Sequence, residues 1–321
     1  MPNAAVNIRV VETVAAFATV VALCALLKGV GIVKEEHGSV FARILTQAAL
    51  PAVIFLQLAT HPVAPRQFLM ALTIIVAALV SMAASWVLGK ALRLDRPRIG
   101  ALMLTSSFGS SALMGYPVIQ YTFPGNPEAL ADAVFMSEVG VGLPIFILGP
   151  LIAINYGELS EDDRFRRDSM GSYFRSPIFA ALILGIIAAQ FRELGQYRWL
   201  APFWEALHMI EGSLATLSCM ILALQLKPSS LRGMFWILLV GSALIQMLLQ
   251  PWVAHIQAGW YNLSALQAQV AVLITTMPSA VLGPVFATRY RCAADTASAL
   301  VMSNILLSMA IIPLSFAILN R

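Results

Sequence analysis

Residues 105–117 of this 321-residue chain read TSSFGSSALMGYP, and residues 275–284 read TTMPSAVLGP. Within these stretches, SALMG at 111–115 matches SAVLG at 279–283, at an offset of 168 residues. Both stretches place hydroxyl side chains, glycine and proline inside long apolar segments. Proline removes an amide hydrogen and clashes with the preceding turn, and glycine lets the backbone leave helical geometry. Each stretch therefore predicts a helix that is broken in its middle.

The composition around these stretches is that of a membrane protein. Hydrophobic residues make up 59% of the chain and charged residues only 11%, against about 25% charged in ordinary soluble domains. Apolar blocks recur at about the 20 residues that a spanning helix needs. The ten predicted spans are residues 10–27, 39–58, 68–92, 99–123, 131–156, 177–191, 204–226, 231–254, 265–287 and 294–319. An all-α membrane protein is therefore expected.

The two halves of the chain repeat each other. Adding 168 to the first five spans gives the second five, within a few residues. Because five is odd, the two halves have opposite orientations in the membrane. We expect a first five-helix repeat over 1–156, a cytoplasmic linker over 157–176 and a second five-helix repeat over 177–321. Inverted repeats are typical of secondary transporters, which bind their substrate near the bilayer midplane where the repeats meet. In this layout the broken helices, spans 4 and 9, cross each other.

The basic residues predict the orientation. With ten spans both termini share a side, and that side carries five of the twenty Lys and Arg residues, whereas the other carries fifteen. The side rich in Lys and Arg is cytoplasmic as a rule. Both termini are therefore expected outside the inner (plasma) membrane. These loops also account for the basic pI of 9.1, so nucleic acid is not an expected partner.

The broken helices predict the binding site. A break exposes the N-terminus of a half-helix, whose free N–H groups and partial positive charge favour an anion. Close packing of small residues is the alternative explanation for such sequences. Two amides in other spans, Gln47 and Asn304, could face the crossing, and Glu138 is an ionisable residue inside the fifth span, hence a candidate for proton or ion coupling. The candidate binding residues in the two breaks are Ser107, Ser110, Ser111, Gly115, Pro117, Thr275, Thr276, Pro278, Ser279 and Gly283.

Three short stretches resemble one known family. ALPAVIF at 49–55, SFG at 107–109 followed by GYP at 115–117, and MPSA at 277–280 are similar, in order and spacing, to the auxin efflux carriers. That family includes the plant PIN carriers and bacterial relatives, and the resemblance covers essentially the whole chain. One departure is Ser110, where many members have Asn.

The resemblance implies a fold like that of bile acid symporters and sodium–proton antiporters. In that fold a core domain with two crossed helices moves against a scaffold domain in an elevator-like shift. The resemblance also implies small organic anions, such as auxin, malate or malonate, as substrates, and it points to a homodimer in the lipid membrane.

Other functions fit less well. GSSA at 109–112 is similar to the serine motif of a membrane protease, but only one histidine, His208, lies in a predicted span. The sequence contains no HExxH motif and no phosphate-binding loop. We therefore expect no enzyme, no catalytic residues, no metal and no cofactor. A passive anion channel and a sodium-coupled symporter of the bile acid type remain as alternatives, and proton or sodium coupling is left open.

Overall fold

The computed structural model describes residues 3–61, 64–157, 174–191, 198–225 and 233–320. These residues form helices and short connections, without a strand longer than an isolated bridge. Most of the predicted linker, residues 158–173, lies outside the described part of the chain.

Seven helices in the described residues are long and apolar enough to cross a membrane. They are α1 (Asn3–Gly29), α2 (His37–Thr60), α3 (Pro65–Ala91), α6 (Pro127–Tyr156), α8 (Arg198–Leu224), α9 (Met234–Trp260) and α12 (Ala294–Leu319). Five helices are shorter: α4 (Arg96–Ser107), α5 (Tyr116–Thr122), α7 (Pro177–Ala188), α10 (Ala265–Thr276) and α11 (Leu282–Arg289). Together they make the chain a multi-pass membrane protein.

Each predicted span contains helix, but three of them differ from the prediction, two by being divided and one by its end. The spans predicted over 99–123 and 265–287 are each divided into two helices, α4 with α5 and α10 with α11. The span predicted to end at 254 continues to Trp260. In this added part Gln257 is buried, and its amide donates to the carbonyl of Thr73 on α3.

Four π-turns interrupt the helices of the described chain, and each is followed by proline at the second position. In the first, the N–H of Leu50 bonds to the carbonyl of Leu45, five residues back, and the next residue is Pro51, which has no N–H. The carbonyl of Thr46 can therefore receive no bond of this kind from the residue five positions on, Pro51. The four turns are Leu45–Ala49, Ser111–Gly115, Glu138–Gly142 and Ile245–Leu249, followed by Pro51, Pro117, Pro144 and Pro251.

The two broken helices cross at their breaks. After α4 the backbone is extended at Phe108, with φ −122° and ψ 120°, and after α10 it is extended at Met277, with φ −61° and ψ 144°. The two extended segments run antiparallel and pair at Gly109 and Ser279. Two main-chain bonds of 2.7 Å close this pairing, from the N–H of Ser110 to the carbonyl of Pro278 and from the N–H of Ala280 to the carbonyl of Phe108.

Candidate functional site

A cavity of about 440 Å³ lies against the crossing. Residues 109–113 and 280–282, from the two breaks, form one part of its wall. Three of the four π-turns also contribute, since Gln47 and Glu138 line the cavity together with the turn after Ser110. Most of the remaining lining side chains are aliphatic. The cavity thus combines a polar end at the crossing with apolar walls.

Both second half-helices begin in this wall. The π-turn that leads into α5 starts at Ser111, and its first intrahelical donor is the N–H of Met114, which bonds to the carbonyl of Ser110. The amides of residues 111–113 therefore belong to the unpaired N-terminal end of this half-helix. The second half-helix, α11, begins at Leu282, which also lines the cavity. Two partially positive helix ends consequently meet at one cavity.

One carboxylate faces these helix ends. Glu138 is only 4% exposed, and the phenol of Tyr116 donates to its Oε1 at 2.7 Å. The hydroxyls of Ser111 and Ser137 are 2.6 Å apart. The sequence analysis selected Glu138 and Ser111 but missed Tyr116 and Ser137. This cluster places a titratable group beside the hydroxyls of the fourth-span break.

The described lining of the cavity contains no basic side chain. Among the described residues that line it, Glu138 is ionisable and none is Lys, Arg or His. An anion in this cavity would therefore be met by helix ends and hydroxyl groups. No cluster of three or more His, Cys, Asp or Glu side chains that could hold a metal ion occurs in the described part of the chain.

Three predicted binding residues direct their hydroxyls elsewhere. Ser107, Thr275 and Thr276 each donate to a carbonyl of their own helix, four residues back. The bonds measure 2.7, 2.7 and 2.6 Å, to Met103, Ala271 and Val272 respectively. These hydroxyls are satisfied within their helices, a pattern common for Ser and Thr in apolar helices. They lie beside the crossing without lining the cavity.

Ser279 and Asn304 meet behind the crossing. The Nδ2 atom of Asn304 donates to the hydroxyls of Ser279 and Ser242, both at 2.8 Å. The hydroxyl of Ser106 in turn donates to Ser242 at 3.0 Å. All four side chains are fully buried. This network links both broken helices, next to their breaks, to α9 and α12.

The two predicted glycines allow close packing. A Cβ at Gly115 would lie 2.9 Å from the Cδ1 atom of Ile274, and one at Gly283 would lie 3.2 Å from the carbonyl oxygen of Leu104. Each therefore lets one arm of the crossing approach the other. Pro117 lies two residues after the π-turn, and Pro278 contributes its carbonyl to the crossing.

Sequence reasoning missed two glutamines on α9. Gln246 and Gln250 are buried and contact the carbonyls of both breaks. The available signal was a pair of amides four residues apart in an apolar helix, just before Pro251.

The chain is similar to a membrane transport family and to two proteins that are named as uncharacterized transporters. Residues 9–159 match the Mem_trans family, described as membrane transport protein. An uncharacterized transporter of Methanocaldococcus jannaschii is 28% identical over 268 residues, which are 81% of this chain and 82% of the relative. Another, from Methanothermobacter thermautotrophicus, is 27% identical over 306 residues, 94% of this chain and 96% of the relative. Residues 9–159 are thus similar to the membrane transport protein family, in agreement with the predicted resemblance to the auxin efflux carriers.

Proposed function

We propose that this protein is a secondary active transporter of a small organic anion, a carboxylate, and that it works by alternating access. One observation carries the proposal: two half-helix N-termini begin in the wall of the same cavity, at a crossing held by main-chain bonds. Unpaired amides and the partial positive charge of a helix N-terminus favour an anion. Irregular backbone at membrane depth is tolerated where it lines such a cavity.

The polar and apolar parts of the cavity suit the two parts of such a substrate. The hydroxyls of Ser110 and Ser111 and the amides of the following turn would bind the carboxylate. The aliphatic walls, for example Val141 and Ile145, would contact its carbon skeleton. The described lining has no basic side chain that could form an ion pair with the anion. The affinity for the anion would therefore depend on the hydroxyl groups and the helix N-termini.

The proposed layout has ten spans in two inverted five-helix repeats. Helices α4 and α10 have 12 residues each, and both of their ends are 169 residues apart (265 − 96 and 276 − 107). The turns before them also match, since Arg93 and Asn262 have positive φ values of 52° and 50° and are again 169 residues apart (262 − 93). These correspondences support the repeat. The elevator-like movement and the outward position of both termini are part of the same proposal.

Glu138 is the proposed coupling residue, with a proton as the coupling ion. An anion at the breaks would share the cavity with this carboxylate. Because the two negative charges repel, the anion would bind better when Glu138 is protonated. Binding would then take up a proton, and anion and proton would cross the membrane in the same direction.

The first test is ligand binding by the purified protein. We would measure thermal stabilisation by a panel of small mono- and dicarboxylates, with and without sodium. The proposal expects at least one acid to raise Tm by several degrees without needing sodium. A strict sodium requirement would replace the proton as coupling ion, and no response to any carboxylate would contradict anion transport.

The Ser110→Ala and Ser111→Ala variants test the placement of the anion. Each removes one hydroxyl from the polar end of the cavity, and a hydrogen bond to a charged group contributes about 1.5–3 kcal/mol. We therefore expect the Kd for the carboxylate to rise by roughly 10-fold or more for each variant.

Ser85→Ala is the matched control. Ser85 is equally buried, but its hydroxyl donates to the carbonyl of Ser81 within α3 and does not line the cavity. This variant should bind like the wild type. Unchanged affinity in both Ser110→Ala and Ser111→Ala would show that the anion binds elsewhere.

A further inference from the structure

Two glutamines of α9 reach the carbonyl ends of both broken helices. The Nε2 atom of Gln250 donates to the carbonyl of Ser107, the last residue of α4, at 3.1 Å. The Nε2 atom of Gln246 donates to the carbonyl of Met277, which follows α10, at 3.2 Å. The same Nε2 atom lies 2.5 Å from the Oε1 atom of Gln250, so the two amides are joined. We call this pair, Gln246 and Gln250, the amide clamp.

The two carbonyls that the clamp binds lie at C-terminal helix ends. Such ends have unpaired carbonyl groups and a partial negative charge. Both ends converge on the crossing, so without donors they would oppose each other and would also repel an anion nearby. The clamp gives each end an N–H donor. It therefore stabilises the crossing and reduces the negative potential beside the cavity.

The internal repeat does not require this pair. The positions 169 residues earlier, on α3, are Ala77 and Ser81, which carry no amide. Gln246 and Gln250 are 0% and 2% exposed, and burying an amide in an apolar environment costs free energy unless it is hydrogen-bonded. The hydrogen bonds to the two carbonyls are therefore the best explanation for a buried pair of amides at these positions.

We propose that Gln246 and Gln250 are positioning residues that hold the two half-helices together and set the affinity of the site for anions. The holding role rests on the contacts alone. The affinity role rests on the proposed anion transport. The clamp acts through the main chain of the breaks, because neither side chain lines the cavity.

The test compares Gln246→Met and Gln250→Met with Gln257→Met. Methionine keeps a similar volume and removes the donor. Gln257 is a suitable control because it is a buried glutamine of the same helix whose amide contacts the carbonyls of Thr73 and Val253, away from the breaks. In transport assays, each clamp variant should raise the half-saturating carboxylate concentration about tenfold and keep the maximal rate within twofold. The control should change neither.

A second measurement needs no substrate. Hydrogen exchange of the amides of Ser110 and Ala280, which close the crossing, should be faster in both clamp variants than in the wild type and the control. Unchanged exchange would overturn the holding role. Faster exchange with an unchanged half-saturating concentration, or an equal rise of the half-saturating concentration in the Gln257→Met control, would overturn the affinity role.

The two proposals can fail separately. If the wild type binds no carboxylate, the anion function is wrong, and the exchange rates alone still decide whether the clamp holds the crossing. If Gln246→Met is not obtained in folded form, Gln250→Met decides, since it removes the bond to the Ser107 carbonyl and the bond between the two glutamines but keeps the bond from Gln246 to the Met277 carbonyl.

Discussion

Replacing Glu138 with Gln is expected to make substrate binding independent of pH. In the wild type, a carboxylate about 6 Å from an ionised Glu138 would be repelled by about 3 kcal/mol at an effective dielectric constant of about 20, roughly a 100-fold loss of affinity. Affinity should therefore rise as the pH falls and Glu138 becomes protonated. The neutral Gln keeps an oxygen that can accept from Tyr116, so Glu138→Gln should bind at pH 8 as tightly as the wild type binds at low pH.

The measurement uses proteoliposomes. With an imposed pH gradient, the wild type should accumulate labelled carboxylate. Glu138→Gln should only equilibrate the carboxylate along the concentration gradient of the carboxylate itself. Glu211→Gln is the matched control, because Glu211 is also a buried carboxylate but hydrogen-bonds to Gln57 and does not line the cavity. A Glu138→Gln variant that retained the wild-type pH profile would exclude this residue from coupling.

Replacing Gly109 with Val is expected to weaken carboxylate binding by about two orders of magnitude. A Cβ at this position would already lie 3.2 Å from the Nε2 atom of Gln246 and 3.2 Å from the carbonyl oxygen of Met277. The additional methyl groups of valine would push the two breaks apart and strain both main-chain bonds of the crossing. Each buried group left without its partner costs about 1–3 kcal/mol, so we expect affinity to fall by roughly 100-fold.

Gly109→Ala and Gly212→Val complete this experiment. Alanine needs its neighbours to move by only a few tenths of an ångström, so its effect should be intermediate. A Cβ at Gly212 meets no atom within 4 Å, and Gly212→Val should bind substrate normally. Circular dichroism would verify that all variants remain helical. If folded Gly109→Val bound carboxylate within threefold of the wild type, the crossing would not be part of the site.

The membrane helices and the two breaks could be predicted from the sequence, whereas the π-turns inside the helices could not. Apolar blocks define spans because the bilayer requires them, and glycine and proline marked both breaks. The π-turns were missed because a proline in an apolar helix produces a kink or a widened turn, depending on packing. Pro51 and Pro251 lie inside predicted spans and gave no sign of the turns before them.

The candidate site shows a similar limit. Gln47, Ser110, Ser111 and Glu138 were selected as polar residues inside apolar spans, and all four line the cavity. Thr275 was selected for the same reason, yet its hydroxyl is satisfied within its own helix. Which face of a helix meets the cavity depends on its rotation against its neighbours. A single sequence does not contain that rotation when the whole helix is apolar.

The crossing joins its two halves through main-chain atoms, and this has a consequence for how related transport proteins diverge. The N–H of Ser110 and the carbonyl of Phe108 are main-chain groups, so any residue except proline at position 110 can make the same bonds. Substitutions that keep the backbone shape can therefore alter the cavity wall while leaving the joint intact. In related proteins, substitutions at positions such as 110 and 111 would change the substrate specificity. The fold at the crossing would stay the same.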